Sequence, residues 1–220
     1  MNELTASAGL IAFDMDSTLI SIECIDEIAA LAGCKQAVSQ VTEAAMRGDI
    51  DFQQSLRERV ALLAGVEQTR LQQLFQPIPF NPGVQQCIAT LQQAGWRCVL
   101  LSGGFTWFAE RLQQALQLDA VVANQLEIEA GRLTGKVLGR IVDAQVKAQQ
   151  LKMLAQRWQI PISRTVAVGD GANDRDMLLA AGTGVAYCAK PALNQIADII
   201  YDQRDLSALA TRLIDAQAKA

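Results

Sequence analysis

Two aspartates separated by one residue, Asp14 and Asp16, directly follow the apolar run GLIAF, which has the length and composition of a buried strand. Like charges at such a position cost free energy unless another group compensates them. Similar apolar runs end on Ser102 in the sequence LSGG and on Asp170 in the sequence VGDGAND. Because ligands of open α/β sheets bind beyond the carboxyl ends of the strands, we expect these polar residues to meet at one edge.

The carboxylates of this group predict a metal site. Carboxylate oxygens are hard ligands and suit Mg²⁺, which keeps some of its own water molecules. A divalent ion between Asp14 and Asp170 would compensate the like charges, and the backbone carbonyl of Asp16 would also be available to it. Taken alone, the tripeptide D-x-D is more often a solvated turn. The three motifs together favour a functional site.

The composition excludes several classes of function. The chain contains no histidine, which rules out Ser-His-Asp and Cys-His catalysis and histidine-ligated zinc. Nineteen basic against 23 acidic side chains give a net charge of −4, which argues against nucleic acid as a partner but is compatible with a small anionic ligand. Five cysteines without a C-x-x-C pair, no signal-peptide pattern and no apolar run of membrane-spanning length predict a cytoplasmic protein that does not bind membranes.

The order of the elements predicts an α/β fold. Five apolar runs alternate with helical patterns, which indicates βαβ units and a doubly wound, mostly parallel sheet. In the sequence LEIEAGRLTGKV, apolar and polar residues alternate on both sides of Ala130 and Gly131. This pattern predicts a β-hairpin attached to that sheet. With 220 residues, half of them hydrophobic, the chain can form one domain or one domain with an insertion.

The insertion is expected at residues 22–79, where several helical patterns follow one another without a strand. Asp49 and Asp51 precede Phe52 in the manner of a helix N-terminus. The stiff, turn-forming sequence PIPFNPG would return the chain to the sheet. We therefore predict an α/β core of residues 1–21 and 80–220 and a small helical domain of residues 22–79.

Four ordered motifs resemble those of the haloacid dehalogenase superfamily: DMDST at Asp14, Ser102, Lys147, and GDGAND at Asp170. Within it, the sequences DSTLISIECIDEIA, RERV, LSGGF and VAVGDGANDRDML resemble phosphoserine phosphatases over nearly the whole chain. The resemblance implies a Rossmann-like core, with the helical insertion as a cap domain. It also implies Mg²⁺-dependent hydrolysis of a small phosphate monoester, preferably L-phosphoserine, through a phosphoaspartate, which is the last step of serine biosynthesis.

The resemblance assigns roles to individual residues. Asp14 would be the nucleophile, since a carboxylate is ionised near neutral pH and needs no histidine to activate it. Asp16 would act as acid and then base, which requires a raised pKa that crowding and metal influence in opposite directions. The phosphoryl group would contact Ser102, the Gly103 amide, Lys147 and Asn173, and the metal site would comprise Asp14, Asp16, Asp170 and Asp174. A single lysine of this kind is most often a solvated helix residue, and Lys152 lies nearby on the same predicted helix. The position of Lys147 relative to the order of the strands favours it. Asp176 is interpreted as a charge that stabilises the helix dipole.

The insertion would select the substrate. By the same resemblance, Glu23 would pair with its ammonium group and Arg59 with its carboxylate, while Met46 and Phe52 would give apolar contacts. An ordinary exposed helix arginine and ordinary core packing are the simpler interpretations of Arg59 and of the two apolar residues. No residue decides the oligomeric state, and we expect a monomer or a homodimer.

The sequence lacks the motifs of several other classes of enzyme. GRLTGKV lacks the spacing of a P-loop, GTGVAY lacks the third glycine of a dinucleotide fingerprint, and no cysteine has the spacing of a cysteine phosphatase. The alternative enzyme is a related phosphatase or phosphotransferase acting on another small phosphate monoester. A third hypothesis is a binding module without catalysis on the same scaffold. The presence of the nucleophile and of every motif residue argues against this hypothesis.

Overall fold

The computed structural model describes residues 9–218. The first eight residues, part of the stretch in which no signal-peptide pattern was found, lie outside the described residues. In the part of the chain that the structure describes, no helix is long and apolar enough to span a bilayer.

A seven-stranded sheet forms the centre of the molecule, with the strand order β4-β3-β2-β1-β5-β6-β7. All neighbouring strands are parallel except β3 and β4. The predicted doubly wound α/β fold is therefore confirmed. The strands are Leu10–Phe13 (β1), Arg97–Phe105 (β2), Ala120–Glu129 (β3), Arg132–Leu138 (β4), Thr165–Gly169 (β5), Thr183–Tyr187 (β6) and Ile199–Tyr201 (β7).

Ten helices accompany the sheet in the described residues. They are Cys24–Ala32 (α1), Lys35–Arg47 (α2), Phe52–Ala61 (α3), Gln68–Leu71 (α4), Val84–Gln93 (α5), Thr106–Leu116 (α6), Ala144–Arg157 (α7), Arg175–Ala180 (α8), Pro191–Asn194 (α9) and Ser207–Ala218 (α10). Short 3₁₀ turns occupy Gln72–Phe75, Ile162–Arg164 and Ala172–Asp174.

The strand β1 is apolar throughout because both faces of the sheet are covered. Ile11 and Phe13 belong to one hydrophobic cluster, which also contains residues of α5, α6 and α10. Leu10 and Ala12 point to the opposite face and belong to a second cluster with residues of α7 and α8. All four side chains are fully buried, as expected for a central parallel strand.

The hairpin is present, but its first strand is longer than predicted. The first half of β3 pairs in parallel with β2, from Val99 with Ala120 to Leu101 with Val122, and its second half pairs with β4. The turn between β3 and β4 lies at Ala130 and Gly131, as predicted. The run VVAN was not recognised as a strand, because so short an apolar run has no distinctive periodicity.

The segment between β1 and β2 is helical, as its patterns predict. Asp51 caps α3, and its Oδ1 accepts a hydrogen bond from the Gln54 amide at 2.7 Å. Asp49 does not cap this helix and instead pairs with Arg47 at 2.9 Å on the surface. Of the two predicted aspartates, Asp51, directly before Phe52, is therefore the N-cap of α3.

Backbone hydrogen bonds join this helical segment to the hairpin. The Gly65 amide donates to the Leu133 carbonyl at 2.8 Å, and the Leu133 amide donates to the Val66 carbonyl at 2.9 Å. The Gln68 amide donates to the Gly131 carbonyl at 2.9 Å. The hairpin therefore supports the helical segment as well as extending the sheet, which its sequence pattern did not indicate.

Candidate active site

The predicted polar residues meet at the carboxyl edge of the sheet. Asp14 follows β1, and its amide still donates to the Val168 carbonyl of β5 at 2.9 Å. Since β1 lies between β2 and β5, Ser102 on one neighbour and Asp170 after the other lie on either side of Asp14. All three side chains line a single cavity of about 880 Å³.

Lys147 is fully buried between two carboxylates. Its Nζ lies 2.6 Å from Oδ1 of Asp14 and 2.7 Å from Oδ1 of Asp174. Burial by itself lowers the pKa of Lys147, but the two carboxylates outweigh burial and raise it above its ordinary value. Asp143 positions the start of α7, because its Oδ1 accepts a hydrogen bond from the Val146 amide at 3.0 Å. Lys147 is therefore a permanently charged group held at the first turn of a capped helix.

Asp174 is held on both of its oxygens. Oδ1 accepts from Lys147, while Oδ2 accepts from the amides of Asp170 and Gly171, each at 3.1 Å. A side chain at position 169 would overlap the Asp174 carboxyl group, so this close approach requires Gly169. Asp174 thus fixes Lys147 relative to the loop that follows β5.

The turn after Asp14 has an irregular backbone. Asp16 is extended, whereas Ser17 adopts the left-handed conformation with φ of 57°. The side-chain amide of Asn81 donates to the carbonyls of Ser17, Thr18 and Ile20 at 3.2, 2.8 and 3.2 Å. This one amide therefore holds the turn in place from the return connection, NPG, which the sequence indicated only as a hinge.

Asp16 is a carboxyl group that gains a proton readily. Burial, followed by the charge of Glu23, raises the pKa of Asp16 to about 7. Its Oδ1 has no hydrogen-bond partner among the described residues. A carboxyl group with this pKa is partly protonated near neutral pH and can both donate and accept a proton.

The donor set fits a hard divalent cation. Carboxylate oxygens of Asp14, Asp170 and Asp174 lie within 4.8 Å of one another. Burial, followed by the charges of Asp174 and Glu23, raises the pKa of Asp170 to about 7, so carboxylates are crowded here without enough cationic partners. Thr18 orients Asp170 through a hydrogen bond of 3.3 Å to Oδ1. Because both oxygens of Asp174 are already bonded, Asp14 and Asp170 are the better placed of these three to hold an ion.

Ser102, Gly103 and Gly104 form a pocket of small residues beside Asp14. The Gly104 amide donates to Ser102 Oγ at 2.8 Å, which fixes the hydroxyl. Asn124 holds this loop against the segment before α7, because its amide donates to the Gly103 carbonyl and its Oδ1 accepts from the Val142 amide, both at 2.8 Å. The pattern of the sequence did not identify Asn124, which lies inside β3.

The helical segment forms the opposite wall of the cavity. Glu23, Met46, Phe52 and Arg59 all line it. Phe52 lies over Gly103, since its Cζ is 3.1 Å from where a Cβ of residue 103 would be. Met46 is 73% exposed and lies at the rim.

The charged residues of this wall are incompletely paired. Ser17 Oγ donates to Glu23 Oε1 at 2.6 Å, and among residues 9–218 the side chain of Arg59 makes one hydrogen bond, from Nε to the Ser55 carbonyl at 3.3 Å. Burial lowers the pKa of Arg59, while the charges of Asp26 and Glu23 act in the opposite direction. The guanidinium group therefore keeps donors available for an anionic ligand.

Three further placements complete the site. Asn173 lies near Gly103, with its Nδ2 3.8 Å from where a Cβ of residue 103 would be. Asp176 pairs with Arg175 at 3.5 Å near the surface, which agrees with its interpretation as a helix-terminal charge. Lys190 also lines the cavity, on the loop after β6, and was not identified from the sequence.

A family comparison decides between the possible interpretations of this arrangement. The model of the haloacid dehalogenase-like hydrolases matches residues 11–179. The chain belongs to this family.

This haloacid dehalogenase-like hydrolase is similar to several proteins that are named phosphoserine phosphatase. It is 64% identical to a phosphoserine phosphatase of Idiomarina loihiensis over 91% of each chain. It is 50% identical to a phosphoserine phosphatase of Haemophilus influenzae, over 93% of this chain and 65% of that protein's length. A solved structure of a phosphoaspartyl-intermediate analogue of phosphoserine phosphatase superposes with a TM-score of 0.87 at 39% identity, covering 94% of this chain and 99% of that one.

The raised pKa values predict how the stability of the metal-free hydrolase depends on pH. Asp16 and Asp170 bind protons in the folded state up to about pH 7, whereas an unfolded chain releases them near pH ~4. The folded state therefore binds more protons in between, and the free energy of unfolding should fall as the pH rises from 5 to 8. Thermal unfolding in the presence of a chelator measures this slope. Asp170→Asn should make the slope shallower, and the exposed control Asp215→Asn should not. Equal slopes in all three proteins would contradict the prediction.

Proposed function

We propose that this hydrolase is a phosphoserine phosphatase, which converts L-phosphoserine to L-serine and phosphate in the last step of serine biosynthesis. One observation carries the proposal: Arg59 and Glu23, of opposite charge, line the same cavity as Asp14. A phosphate ester that also bears a carboxylate and an ammonium group offers a partner to each of them. The names of the similar proteins support the same substrate.

The reaction begins at Asp14. One of its carboxylate oxygens attacks phosphorus, the bond from phosphorus to the serine oxygen breaks, and Asp16 gives its proton to that leaving oxygen. Asp16 then takes a proton from a water molecule that attacks the phosphoaspartate. The bond between phosphorus and Asp14 breaks, which releases phosphate and restores the carboxylate. The pKa of about 7 suits Asp16 to both proton transfers.

Several fixed donors offset the charge of the phosphoryl group. Ser102, the Gly103 amide and Asn173, which line the cavity, would contact its oxygens together with Lys147, which is fully buried beside Asp14. Mg²⁺, when bound, would neutralise part of the charge on the carboxylates and the phosphate, held by Asp14, Asp170 and the Asp16 carbonyl. Asp174 would act on the reaction through Lys147, whose Nζ it holds.

Residues 22–79 would form the cap domain, which selects the substrate and excludes water from the reacting groups. Glu23 would bind the ammonium group, while Phe52 and Met46 would cover the apolar part of the substrate. A hydrogen bond of 2.8 Å from Gln53 Nε2 to Asp143 Oδ2 joins this segment to the start of α7, across the cavity. The cytoplasmic location and the choice between monomer and homodimer stay predictions.

Arg59→Ala tests the recognition of the carboxylate. The loss of one partner of a buried charge pair should cost about 2–5 kcal/mol in kcat/KM for L-phosphoserine. The kcat/KM for O-phosphoethanolamine, which lacks the carboxylate, should fall much less. Arg57→Ala, at an exposed position of the same helix, is the matched control and should change neither value. Equal losses on both substrates would mean that Arg59 only maintains the structure.

Turnover rates on three substrates test the proposed function itself. L-phosphoserine, phosphothreonine and an aryl phosphate should be assayed, each with Mg²⁺ and with a chelator. We expect L-phosphoserine to give the highest kcat/KM and the chelator to abolish turnover. Turnover of the aryl phosphate without that of L-phosphoserine would instead identify a related phosphatase for another small phosphate. No turnover of any ester with Mg²⁺ would favour a binding module.

A further inference from the structure

Ser55 carries a buried hydroxyl group without a partner in the cavity wall. The residue lies on α3, is 1% exposed and lines the same cavity as Asp14. Its amide donates to the Asp51 carbonyl at 2.9 Å, and its carbonyl accepts from Arg59 Nε at 3.3 Å. Within the described part of the chain, its Oγ makes no hydrogen bond. Only the hydroxyl group of Ser55 is therefore unused.

A second hydroxyl group in the same wall shows that the lack of a partner is not a general property of these helices. Thr42 on α2 also lines the cavity, and its Oγ1 donates to the Val38 carbonyl one turn earlier, at 3.1 Å. Such a bond back to the preceding turn is the usual way for a helical hydroxyl group to be satisfied. Ser55 does not make it, although the Asp51 carbonyl occupies the equivalent position.

Unpartnered polar atoms cluster at this cavity. The buried side-chain atoms that lack a hydrogen-bond partner among the described residues belong to four residues, and two of these, Asp16 and Ser55, line the cavity. Asp16 is the proposed acid and base, whose free oxygen would contact the substrate. A buried hydroxyl group without a partner costs free energy, so a ligand that completes its bonding would be favoured.

We propose that the Ser55 hydroxyl donates a hydrogen bond to the substrate carboxylate, next to the guanidinium group of Arg59. This inference rests on the proposed function, since it requires an amino-acid phosphate as substrate. Ser55 and Arg59 are four residues apart on α3 and share one face of the helix. Phe52, three residues before Ser55, lies over Gly103 on the phosphate side, and Arg59 follows Ser55 by four residues, so Ser55 lies between Phe52 and Arg59 along α3.

The chemistry of the substrate selects the carboxylate as the acceptor. An ammonium group has no lone pair to accept a hydrogen bond, and the phosphate would be bound at the opposite side by Ser102 and Lys147. Two donors of different kinds on one carboxylate would also raise selectivity. A ligand without the carboxylate leaves both donors unpaired, which is a stronger penalty than a change of apolar contact. Ser55 is therefore assigned as a residue that determines specificity.

Ser55→Ala, assayed on L-phosphoserine and O-phosphoethanolamine, tests the inference. Loss of a hydrogen bond to a charged group should raise the KM for L-phosphoserine about tenfold, with kcat within about twofold of wild type. The values for O-phosphoethanolamine should stay unchanged. Ser55→Cys, which keeps the shape but donates weakly, should give an intermediate KM. Thr42→Val removes the hydroxyl group of Thr42 from the same wall. This variant should have the wild-type ratio of kcat/KM for L-phosphoserine to kcat/KM for O-phosphoethanolamine.

Thermal unfolding without ligand separates recognition from folding. Removal of an unpartnered hydroxyl group should not lower the Tm of Ser55→Ala, whereas loss of a structural hydrogen bond would. A lower Tm, an equal change on both substrates, or no change on either would overturn the inference while wild-type turnover of L-phosphoserine upholds the proposed function. If the wild type does not hydrolyse L-phosphoserine at all, the proposed function and this inference fail together.

Discussion

Asp14→Asn is expected to abolish turnover, with kcat lowered by roughly 10⁴-fold or more, as for removal of other catalytic nucleophiles. The asparagine amide is a poor nucleophile and cannot form the phosphoaspartate. Its side chain has nearly the same shape, and its carbonyl oxygen can still accept a hydrogen bond from Lys147, which lies 2.6 Å from the aspartate. The rate of phosphate release from L-phosphoserine, measured with Mg²⁺ present, checks the prediction.

A matched control and a trapping experiment make this result specific. Asp176→Asn replaces another of the aspartates that line the cavity, one that pairs with Arg175 near the surface, and this variant should retain most of the activity. Wild-type enzyme quenched in acid during turnover should carry phosphate on the peptide that contains Asp14, as detected by mass spectrometry. Phosphate on another side chain, or an active and correctly folded Asp14→Asn protein, would refute the nucleophile role.

The residues near the strand ends could be predicted from the sequence because topology alone brings them together. Asp14 and Asp170 directly follow β1 and β5, while Ser102 lies within β2, which continues to Phe105. Parallel strands place their carboxyl ends at one edge of the sheet. The order of the strands did not need to be known in detail. The sequence predicted these side chains to meet, and the structure places all three in one cavity.

The supporting residues could not be predicted, because their roles depend on contacts with distant backbone atoms. Asn81 holds the turn after Asp14 from more than 60 residues away, and Asn124 holds Gly103 from the next strand. Asparagine in a turn or a strand end is common, and its type gives no indication of which carbonyl it will reach. Ser55 is similar, since a serine in a helix usually bonds to its own backbone.

Lys147 could be predicted from the sequence only in part. Lys152 lies on the same helix five residues later and has the same chemistry, so residue type does not distinguish the two. Their positions around the helix distinguish them, because Lys147 faces the edge of the sheet and is fully buried, whereas Lys152 is exposed. The sequence favoured Lys147 only through the order of motifs, whereas the structure gives the physical reason in two carboxylates at 2.6 and 2.7 Å.

Lys147→Met should therefore destabilise the protein as well as abolish its activity. The methionine fills a similar volume but leaves Asp14 and Asp174 as buried carboxylates without a counter-charge. Breaking such a buried pair by removing one partner costs about 3–5 kcal/mol. Urea unfolding in the presence of a chelator, so that no metal compensates the charge, measures the change in the free energy of unfolding. Lys152→Met is the control on the same helix and should change it by less than about 0.5 kcal/mol.

The double variant Lys147→Met/Asp174→Asn distinguishes charge from packing. Removing the second carboxylate leaves one uncompensated charge instead of two, so part of the lost stability should return. The carbonyl oxygen of the introduced asparagine would still be able to accept hydrogen bonds from the amides of Asp170 and Gly171. Activity should not return, because the proposed phosphate contact of Lys147 is still absent. If the double variant is less stable than Lys147→Met, Asp174 stabilises the loop after β5 by itself, and Lys147 is not what makes its burial tolerable.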